Sequence, residues 1–272
     1  MACQRSTKLR RWRLLPLRRC SSYSRPVPFT YFAHQVFVLP LKLARPRWFD
    51  GTALCIGSMA PDLAYAFDAS PLEFQSHTAV AQFTWTLPLT LLATFCLRFQ
   101  AIPLGEQLPA PLGLEVQALS RSRRSLLMSI SSALLGGFSH VFIDGFTHAH
   151  GWAVAVFPSL RLELFDSFTL SKLLQYTGHT LGTLIGFAMF ARLVVARRVS
   201  LWNGEAGRRV SRKPERWFSK FVAAGSLLSI PAASSVLFTG GGLPTAIMRA
   251  SWVGLAVLVV ASLRARRLRP AY

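Results

Sequence analysis

The sequence predicts an all-α protein, a polytopic helical membrane protein with about five to seven membrane helices or half-helices. Hydrophobic residues make up 51% of the 272 residues and charged residues only 15%, a balance that is unusual for a soluble domain. Residues 78–97, 125–143 and 173–191 contain no charged side chain. Because about 20 apolar residues of helix cross the hydrocarbon layer of a bilayer, each of these stretches predicts one membrane helix.

Two further membrane helices are predicted near the C-terminus. The apolar sequence in this region is interrupted by consecutive glycines at 240–242, which are followed by Pro244. Glycine and proline end helices and favour turns. The pattern therefore predicts helices over residues 217–238 and 244–263 that are joined by a glycine turn.

Three other segments have different patterns. Residues 29–41 and 52–67 are apolar but too short to cross a bilayer comfortably. Half-helices, re-entrant segments and core helices all fit their length. Residues 98–124 contain several prolines and predict a loop.

The formal net charge of +20 comes largely from basic residues that flank the apolar stretches. Lys and Arg in short loops favour the cytoplasmic side, so the basic loops and the C-terminus are predicted to be cytoplasmic. The same distribution argues against nucleic acid as a partner, because binding to phosphates needs a clustered basic face. The chain is divided into a basic, disordered leader, 1–26; a core with the His and Asp residues, 27–195; a basic cytoplasmic loop, 196–216; and a C-terminal helical hairpin with a basic tail, 217–272.

The stretch SHVFIDGFTHAHGW, residues 139–152, places histidines and an acid inside or beside an apolar segment. His140 and Asp144 are four residues apart and share one helix face. Ionisable groups in a membrane segment are usually paired or functional, because an Asp at the centre of a helix costs at least about 2.5 kcal/mol. No Lys or Arg lies in the same spans, so a divalent metal ion, with zinc preferred, is the simplest partner. The predicted metal ligands are Asp62, His77, His140 and Asp144 for one ion, with His34 and His150 available to a second ion.

Alternatives remain open for individual residues. His148 and His150 are two residues apart and cannot both face the same way on a helix, so one of them is interpreted as a bystander. A single histidine such as His179 is more typical of a hydrogen-bonded core residue. Asp62 also fits a helix N-terminus. The chain has no GxSxG motif and no glycine-rich phosphate loop, so any chemistry is expected to depend on the metal.

The sequence resembles a family of bacterial integral membrane proteins known as domain of unknown function 4184. The resemblance covers residues 28 to about 195 and implies a multi-pass protein of the bacterial inner membrane with no established activity. Members usually begin Met-Pro-Phe-Thr, which makes Val27 the expected start and the leader an over-long gene prediction. The alternative is that the leader is a real, disordered basic tail on the cytoplasmic face. The matching stretches are PFTYFAHQVFVLPL (28–41), ALCIGSMAPDLAYAF (53–67), HTAVAQFTWTLPLTLL (77–92), LLGGFSHVFIDGFTHAHGW (134–152) and KLLQYTGHTLGTLIG (172–186).

The order of the His and Asp residues is also similar to that in two groups of hydrolases. Membrane-bound, predicted metal-dependent hydrolases carry comparable PD, HT and SHxxxD elements. The all-helical zinc-dependent phospholipase C and nuclease fold is more distantly similar. These resemblances imply a metal-dependent phosphoester hydrolase. The HxxxE pair of the phospholipase fold has no counterpart, since Thr183 stands four residues after His179.

Two functions are therefore expected from the sequence. The first is metal-dependent hydrolysis of a lipid-linked or headgroup phosphoester at a site near the outer membrane interface, with membrane lipid as the partner. The second is a non-catalytic transporter or assembly factor, in which His140 and Asp144 line an ion path or pair helices.

Overall fold

The computed structural model describes residues 30–166, 168–203 and 216–268. The predicted leader, the expected start at Val27 and residues 204–215 of the predicted basic loop lie outside the described residues. The described chain is helical apart from one antiparallel hairpin of β1 (Glu163–Phe165) and β2 (Phe168–Thr169). The α-helices are α1 (Thr30–Ala33), α2 (Gln35–Ala44), α3 (Gly51–Gly57), α4 (Ala60–Leu63), α5 (Ala79–Ala81), α6 (Leu87–Glu106), α7 (Leu112–Ala118), α8 (Leu126–Thr147), α9 (Trp152–Val156), α10 (Leu170–Val195), α11 (Arg198–Trp202), α12 (Arg216–Ser226), α13 (Ser229–Ser234), α14 (Val236–Thr239) and α15 (Leu243–Arg267).

Five helical segments are long and apolar enough to cross a membrane, which confirms the predicted all-α, polytopic architecture. In each of them at most 33% of the most apolar window is buried inside the protein, so most of these side chains face outward, as lipid-facing side chains do. The predicted glycine turn is present, because Gly240 ends α14 with a φ of 78°. The five segments are Ala79–Glu106, Leu126–Thr147, Leu170–Val195, Arg216–Thr239 and Leu243–Arg267.

The apolar segments before residue 70 form short helices. The longest of them, α2, has 10 residues, which correspond to about 15 Å of helix and half of a bilayer. α3 packs closely along α8, where Gly57 faces the backbone of Ala133 and Gly136 faces the backbone of Leu54. Half-helices, re-entrant segments and core helices all fit these lengths.

The prediction of a loop over residues 98–124 is wrong, because α6 continues through Pro103 to its end and α7 follows after a turn. A proline inside a helix leaves the carbonyl four residues earlier without its N–H partner. That carbonyl belongs to Phe99, and it accepts a hydrogen bond from Nη1 of Arg266 at 2.7 Å. The guanidinium also lies over the Phe99 ring, 3.7 Å from the centroid. α15 therefore supplies the donor that Pro103 lacks.

A buried ion pair joins three helices near the beginning of α8. Asp50, which is 1% exposed, precedes α3 and pairs with Arg98 of α6 at 2.6 Å. Ser129 Oγ donates to the other carboxylate oxygen at 2.5 Å, and the backbone N–H of Asp50 donates to Ser132 Oγ at 2.9 Å. Both serines lie on α8, so α3, α6 and α8 meet at this carboxylate.

The C-terminal hairpin packs against the segment that carries Asp62. Nε1 of Trp252 on α15 donates to the carbonyl of Leu63 at 3.1 Å. One turn earlier on the same helix, Nε of Arg249 donates to the carbonyl of Ala66 at 2.9 Å. These bonds hold the short helix α4 and the turn after it in a fixed position.

Candidate metal centre

Four side chains of metal-ligand type converge from three separate parts of the chain. Asp62 lies in the first turn of α4, directly after Pro61. His77 precedes α5 by two residues, and His140 and Asp144 lie one turn apart on the buried face of α8. Each residue offers one ligand atom, and the four atoms all lie within 4.8 Å of one another.

Five of the six distances between these ligand atoms match a tetrahedral site, and the sixth, between Asp62 and Asp144, lies within 4.8 Å. Zinc bonds of about 2.0–2.1 Å in a tetrahedron place neighbouring ligand atoms about 3.3–3.4 Å apart. The corresponding distances in the protein are His77 Nε2 to Asp62 Oδ1, 3.1 Å; His77 Nε2 to His140 Nε2, 3.2 Å; His77 Nε2 to Asp144 Oδ2, 3.4 Å; His140 Nε2 to Asp62 Oδ1, 3.3 Å; and His140 Nε2 to Asp144 Oδ2, 3.2 Å.

Hydrogen bonds around the centre fix which ring atoms face it. His140 Nδ1 donates to the Ser58 carbonyl oxygen at 2.8 Å, and His77 Nδ1 is hydrogen-bonded to Ser76 Oγ at 3.0 Å. Because a carbonyl only accepts, Nδ1 of His140 carries the hydrogen, and Nε2 of the neutral ring is an acceptor. That acceptor faces two carboxylates, which also only accept. A proton on Nε2 or a metal ion between the groups resolves this contact. Outer hydrogen bonds such as that of Nδ1 commonly orient histidines that bind metals.

The centre is buried and opens at one side. His140 is 0% exposed, whereas the side chain of His77 is 26% exposed. Burial raises the pKa of the Asp62 carboxyl, but the charge of a protonated His140 and hydrogen bonds from His140 and His77 lower it by more, so its pKa lies below the ordinary value. Burial lowers the pKa of His77, but its bonds to Asp144 and Asp62 raise it above the ordinary value. Both shifts mean that the carboxylates attract positive charge, which is a proton on a histidine when no metal ion is bound.

A family model described as a domain of unknown function (DUF4184) matches residues 27–266. The chain belongs to the DUF4184 family. The match is longer than the resemblance over residues 28 to about 195 and includes most of the C-terminal hairpin. No curated protein and no solved structure matches the chain. The family description assigns no activity, so the function of this DUF4184 protein has to be argued from its site.

Two further histidines of the DUF4184 protein adjoin the centre. His34, between α1 and α2, is 3% exposed, and its ring stacks on that of His140 with centroids 3.8 Å apart. His34 Nε2 lies 3.7 Å from Asp144 Oδ1. His179 of α10 lies edge-on to His34 at a centroid distance of 5.8 Å. The sequence predicts His34 as a ligand but not His179, because nothing around His179 distinguishes a ligand from a core histidine.

The structure separates the two histidines that follow α8. His148 Nδ1 lies 3.7 Å from Asp144 Oδ2, and His148 Nε2 is hydrogen-bonded to Gln175 Nε2 of α10 at 2.9 Å. His150, a predicted ligand, is exposed in the turn after α8 and belongs to neither of the two groups of side chains among the described residues whose spacing would suit a metal ion. The spacing of four residues from Asp144 is the sequence signal that favours His148 over His150. The structure thus brings five of the six predicted ligands together.

Proposed function

We propose that this protein is a metal-dependent phosphoester hydrolase of the bacterial inner membrane, with zinc held by Asp62, His77, His140 and Asp144. The proposal depends on one observation, that five of the six ligand-atom distances lie between 3.1 and 3.4 Å. Side chains from three separate parts of the chain meet at this spacing, with Nε2 of both histidines turned toward the carboxylates. Two histidines and two carboxylates are a ligand set that suits zinc.

The position of the centre relative to the membrane spans supports a lipid-linked or headgroup substrate. His77 lies two residues before the span Ala79–Glu106, and Asp144 lies three residues before the end of the span Leu126–Thr147. The centre is therefore near one boundary of the apolar layer, at the depth where lipid phosphates lie. The arginines that precede α8 are at the opposite end of this span, which favours the non-cytoplasmic side for the centre. A lipid-linked or headgroup phosphoester is the substrate that fits this depth.

The residues at the opening have defined roles in the proposed reaction. A bound divalent ion supplies charge that stabilises the phosphoryl oxygens and lowers the pKa of a water molecule. The water oxygen bonds to phosphorus, the bond between phosphorus and the ester oxygen breaks, and the proton of the water goes to the departing oxygen. The side chain of His148 is 33% exposed at the opening, and its hydrogen bond to Gln175 holds the ring in place. This position suits a group that carries the proton.

Metal analysis of the detergent-purified protein tests the proposed centre. We expect zinc in the wild type and its loss in His140→Ala and in Asp144→Asn, because each change removes a ligand from the four-residue group. His150→Ala is the matched control, since this histidine lies outside the group, and it should retain the zinc content of the wild type. A wild type that is metal-free and equally stable would overturn the centre.

Phosphate release tests the activity separately. Vesicles that contain phosphatidic acid present a phosphomonoester at headgroup depth, and a soluble aryl phosphate presents the same bond in water. We expect the zinc-loaded wild type to release phosphate from the vesicles, and His140→Ala to show only the background rate. Zinc-loaded protein that releases no phosphate from any lipid-linked or headgroup phosphoester would overturn the hydrolase while leaving the metal centre in place.

A row of buried polar side chains supports an ion path as the second candidate function. Each of these side chains is at most 3% exposed, and one oxygen of each has no hydrogen-bond partner among the described residues. The row begins beside the centre, where its first amide donates to the Ser76 carbonyl, and it ends one turn before Arg98. Its members are Gln82, Thr86, Thr90 and Thr94.

Ion flux in proteoliposomes separates this function from hydrolysis. An ion path predicts zinc or proton flux in the wild type that falls in Thr90→Val, a change that removes one hydroxyl and preserves shape. The zinc content of the protein should stay the same, because Thr90 is not part of the metal-binding group. Wild-type vesicles without flux would exclude the ion path.

A further inference from the structure

We infer that the centre holds a second divalent cation, bound by His34, Asp144 and His179, and that this second ion carries the open coordination position. The inference rests on the proposed metal binding, and it assigns the contact with substrate to the second ion. The ligand atoms of the three residues lie within 4.8 Å of one another. The three residues come from the break between α1 and α2, from α8 and from α10.

His34 is the first observation that supports a second ion. Neither of its ring nitrogens has a hydrogen-bond partner among the described residues, although the side chain is 3% exposed. A neutral imidazole has one N–H donor and one acceptor, and buried polar atoms in folded proteins are nearly always paired. An unpaired Nε2 that points toward a carboxylate 3.7 Å away leaves a place for a cation between the two groups.

Asp144 is the second and independent observation. Its Oδ2 lies 3.2 Å from His140 Nε2 and 3.4 Å from His77 Nε2, in the four-residue group. Its Oδ1 is buried, has no hydrogen-bond partner among the described residues and faces His34. A carboxylate with one oxygen toward each group is suited to bridge two ions, and ions in two-metal sites lie about 3.5–4 Å apart.

The number of protein ligands differs between the two sites. The first group provides four ligands, which complete a tetrahedron as in structural zinc sites. The second group provides two histidines and one carboxylate, the set of three that leaves one position of a zinc ion open in catalytic sites. An oxygen of water or of a phosphoester therefore finds its place on the second ion, while the first ion holds the ligands in position.

Each of the two groups has one partly exposed histidine. The side chain of His77 in the first group is 26% exposed, and His179 in the second group is also partly exposed. Gln175 lies one turn before His179 on α10 and is hydrogen-bonded to His148. Exposure therefore does not separate the two groups, and the assignment of the open position depends on the number of ligands.

Metal stoichiometry tests the second ion without reference to activity. Detergent-purified protein is stripped with a chelator, loaded with zinc and analysed for zinc per chain. We expect two ions in the wild type and one in His34→Phe, which preserves a ring stacked on His140. We also expect one ion in His179→Phe, where the partly exposed site tolerates the change and keeps the test valid if His34→Phe fails to fold. His150→Phe is the matched control and should keep two ions.

The measured number of zinc ions distinguishes a failure of this inference from a failure of the proposed function. One ion in the wild type and in both variants would overturn the second ion and leave the first site intact, with a buried water at His34 instead. Two ions in His34→Phe and in His179→Phe would overturn the ligand assignment. A wild type that binds no zinc would overturn the proposed function together with this inference.

The open position is tested with inorganic phosphate as the probe. We expect calorimetric titration to detect phosphate binding to the zinc-loaded wild type and loss of this binding in His179→Phe, although that variant keeps the first ion. Phosphate that binds equally well to His179→Phe with one ion would assign the open position to the first site and overturn this part of the inference.

Discussion

His140 Nδ1 donates to the carbonyl oxygen of Ser58 at 2.8 Å, while Nε2 of the same ring faces Asp62 and Asp144. The Nδ1 bond links α8 to the turn after α3, and the segment that carries Asp62 begins at that turn. The two nitrogens of one ring thus have different roles. Nδ1 serves the packing of two helices, and Nε2 serves the candidate metal centre, so the two roles are separable by mutation.

His140→Asn is predicted to lose the metal and keep the fold. The amide nitrogen of Asn lies near the position of Nδ1 and still donates to Ser58, whereas nothing replaces Nε2. His140→Ala also loses the donor and leaves a buried carbonyl unpaired, which costs about 1–3 kcal/mol. In thermal unfolding with a chelator present, we expect the Asn variant to match the wild type and the Ala variant to unfold at lower temperature. Equal stability of the two variants would contradict the role of Nδ1.

Gly136→Ala is predicted to disturb the centre from a distance. A Cβ at this position would lie 2.8 Å from the backbone nitrogen of Ser58 and 3.0 Å from the carbonyl carbon of Gly57, so α3 and α8 must move apart. We expect a loss of about 1–3 kcal/mol in stability and weaker zinc binding, because the separation pulls Ser58 away from His140. Thermal unfolding and zinc titration in detergent provide the measurements.

Gly178→Ala is the control for Gly136→Ala. A Cβ there meets nothing within 4 Å, and the residue lies inside α10. Because Ala favours helix over Gly by about 1 kcal/mol, this variant should be as stable as the wild type or slightly more stable. If Gly136→Ala behaved in the same way, the close contact between α3 and α8 would not be needed for the centre.

The membrane spans were predictable from the sequence because a bilayer permits few alternatives. The uncharged stretches 78–97 and 125–143 each begin one residue before the spans Ala79–Glu106 and Leu126–Thr147 and otherwise lie inside them. The extension of α6 through Pro103 was not predictable, since the donor that compensates for the proline comes from Arg266, 167 residues away from Phe99 in sequence. Local propensity rules contain no information about such a partner.

The distinction between local sequence patterns and partners distant in sequence also applies to the candidate metal centre. The spacing of His140 and Asp144 on one helix face is a local property, and it predicts that these side chains point the same way. Asp62 and His77 are predicted as ligands because ionisable residues in an apolar chain are usually paired or functional. His179 carries no comparable signal, because its position beside His34 results from the packing of α10 against α1.

The bond from Arg266 to the Phe99 carbonyl predicts an energetic coupling with Pro103. Arg266→Met is expected to lower stability by about 0.5–1.5 kcal/mol, the net contribution of an ordinary hydrogen bond, because the exposed Phe99 carbonyl loses its donor. In a Pro103→Ala background the new backbone N–H donates to that carbonyl, so the same change should cost less. A double-mutant cycle by thermal unfolding measures the difference. Additive effects of the two changes would contradict the compensation.

Breaking the ion pair of Asp50 and Arg98 is predicted to lower stability without affecting the metal centre. Arg98→Met leaves the buried Asp50 carboxylate without its paired cation, which is expected to cost about 3 kcal/mol, the lower end of the range for a buried pair, because Arg98 itself is 18% exposed. Adding Asp50→Asn removes the unpaired charge and should recover part of this loss. Zinc content should stay at the wild-type value, because Ser129, which bonds Asp50, and His140 are about 16 Å apart along α8.

Arg123→Met is the control for Arg98→Met, because Arg123 is exposed just before α8. Its replacement is expected to change stability by less than about 0.5 kcal/mol. Thermal unfolding and zinc analysis of the same preparations give both quantities. A loss of zinc in Arg98→Met protein that remains folded would mean that the two ends of α8 are coupled. The helix would then transmit a disturbance at Asp50 to His140, and the ion pair would be part of the support of the centre.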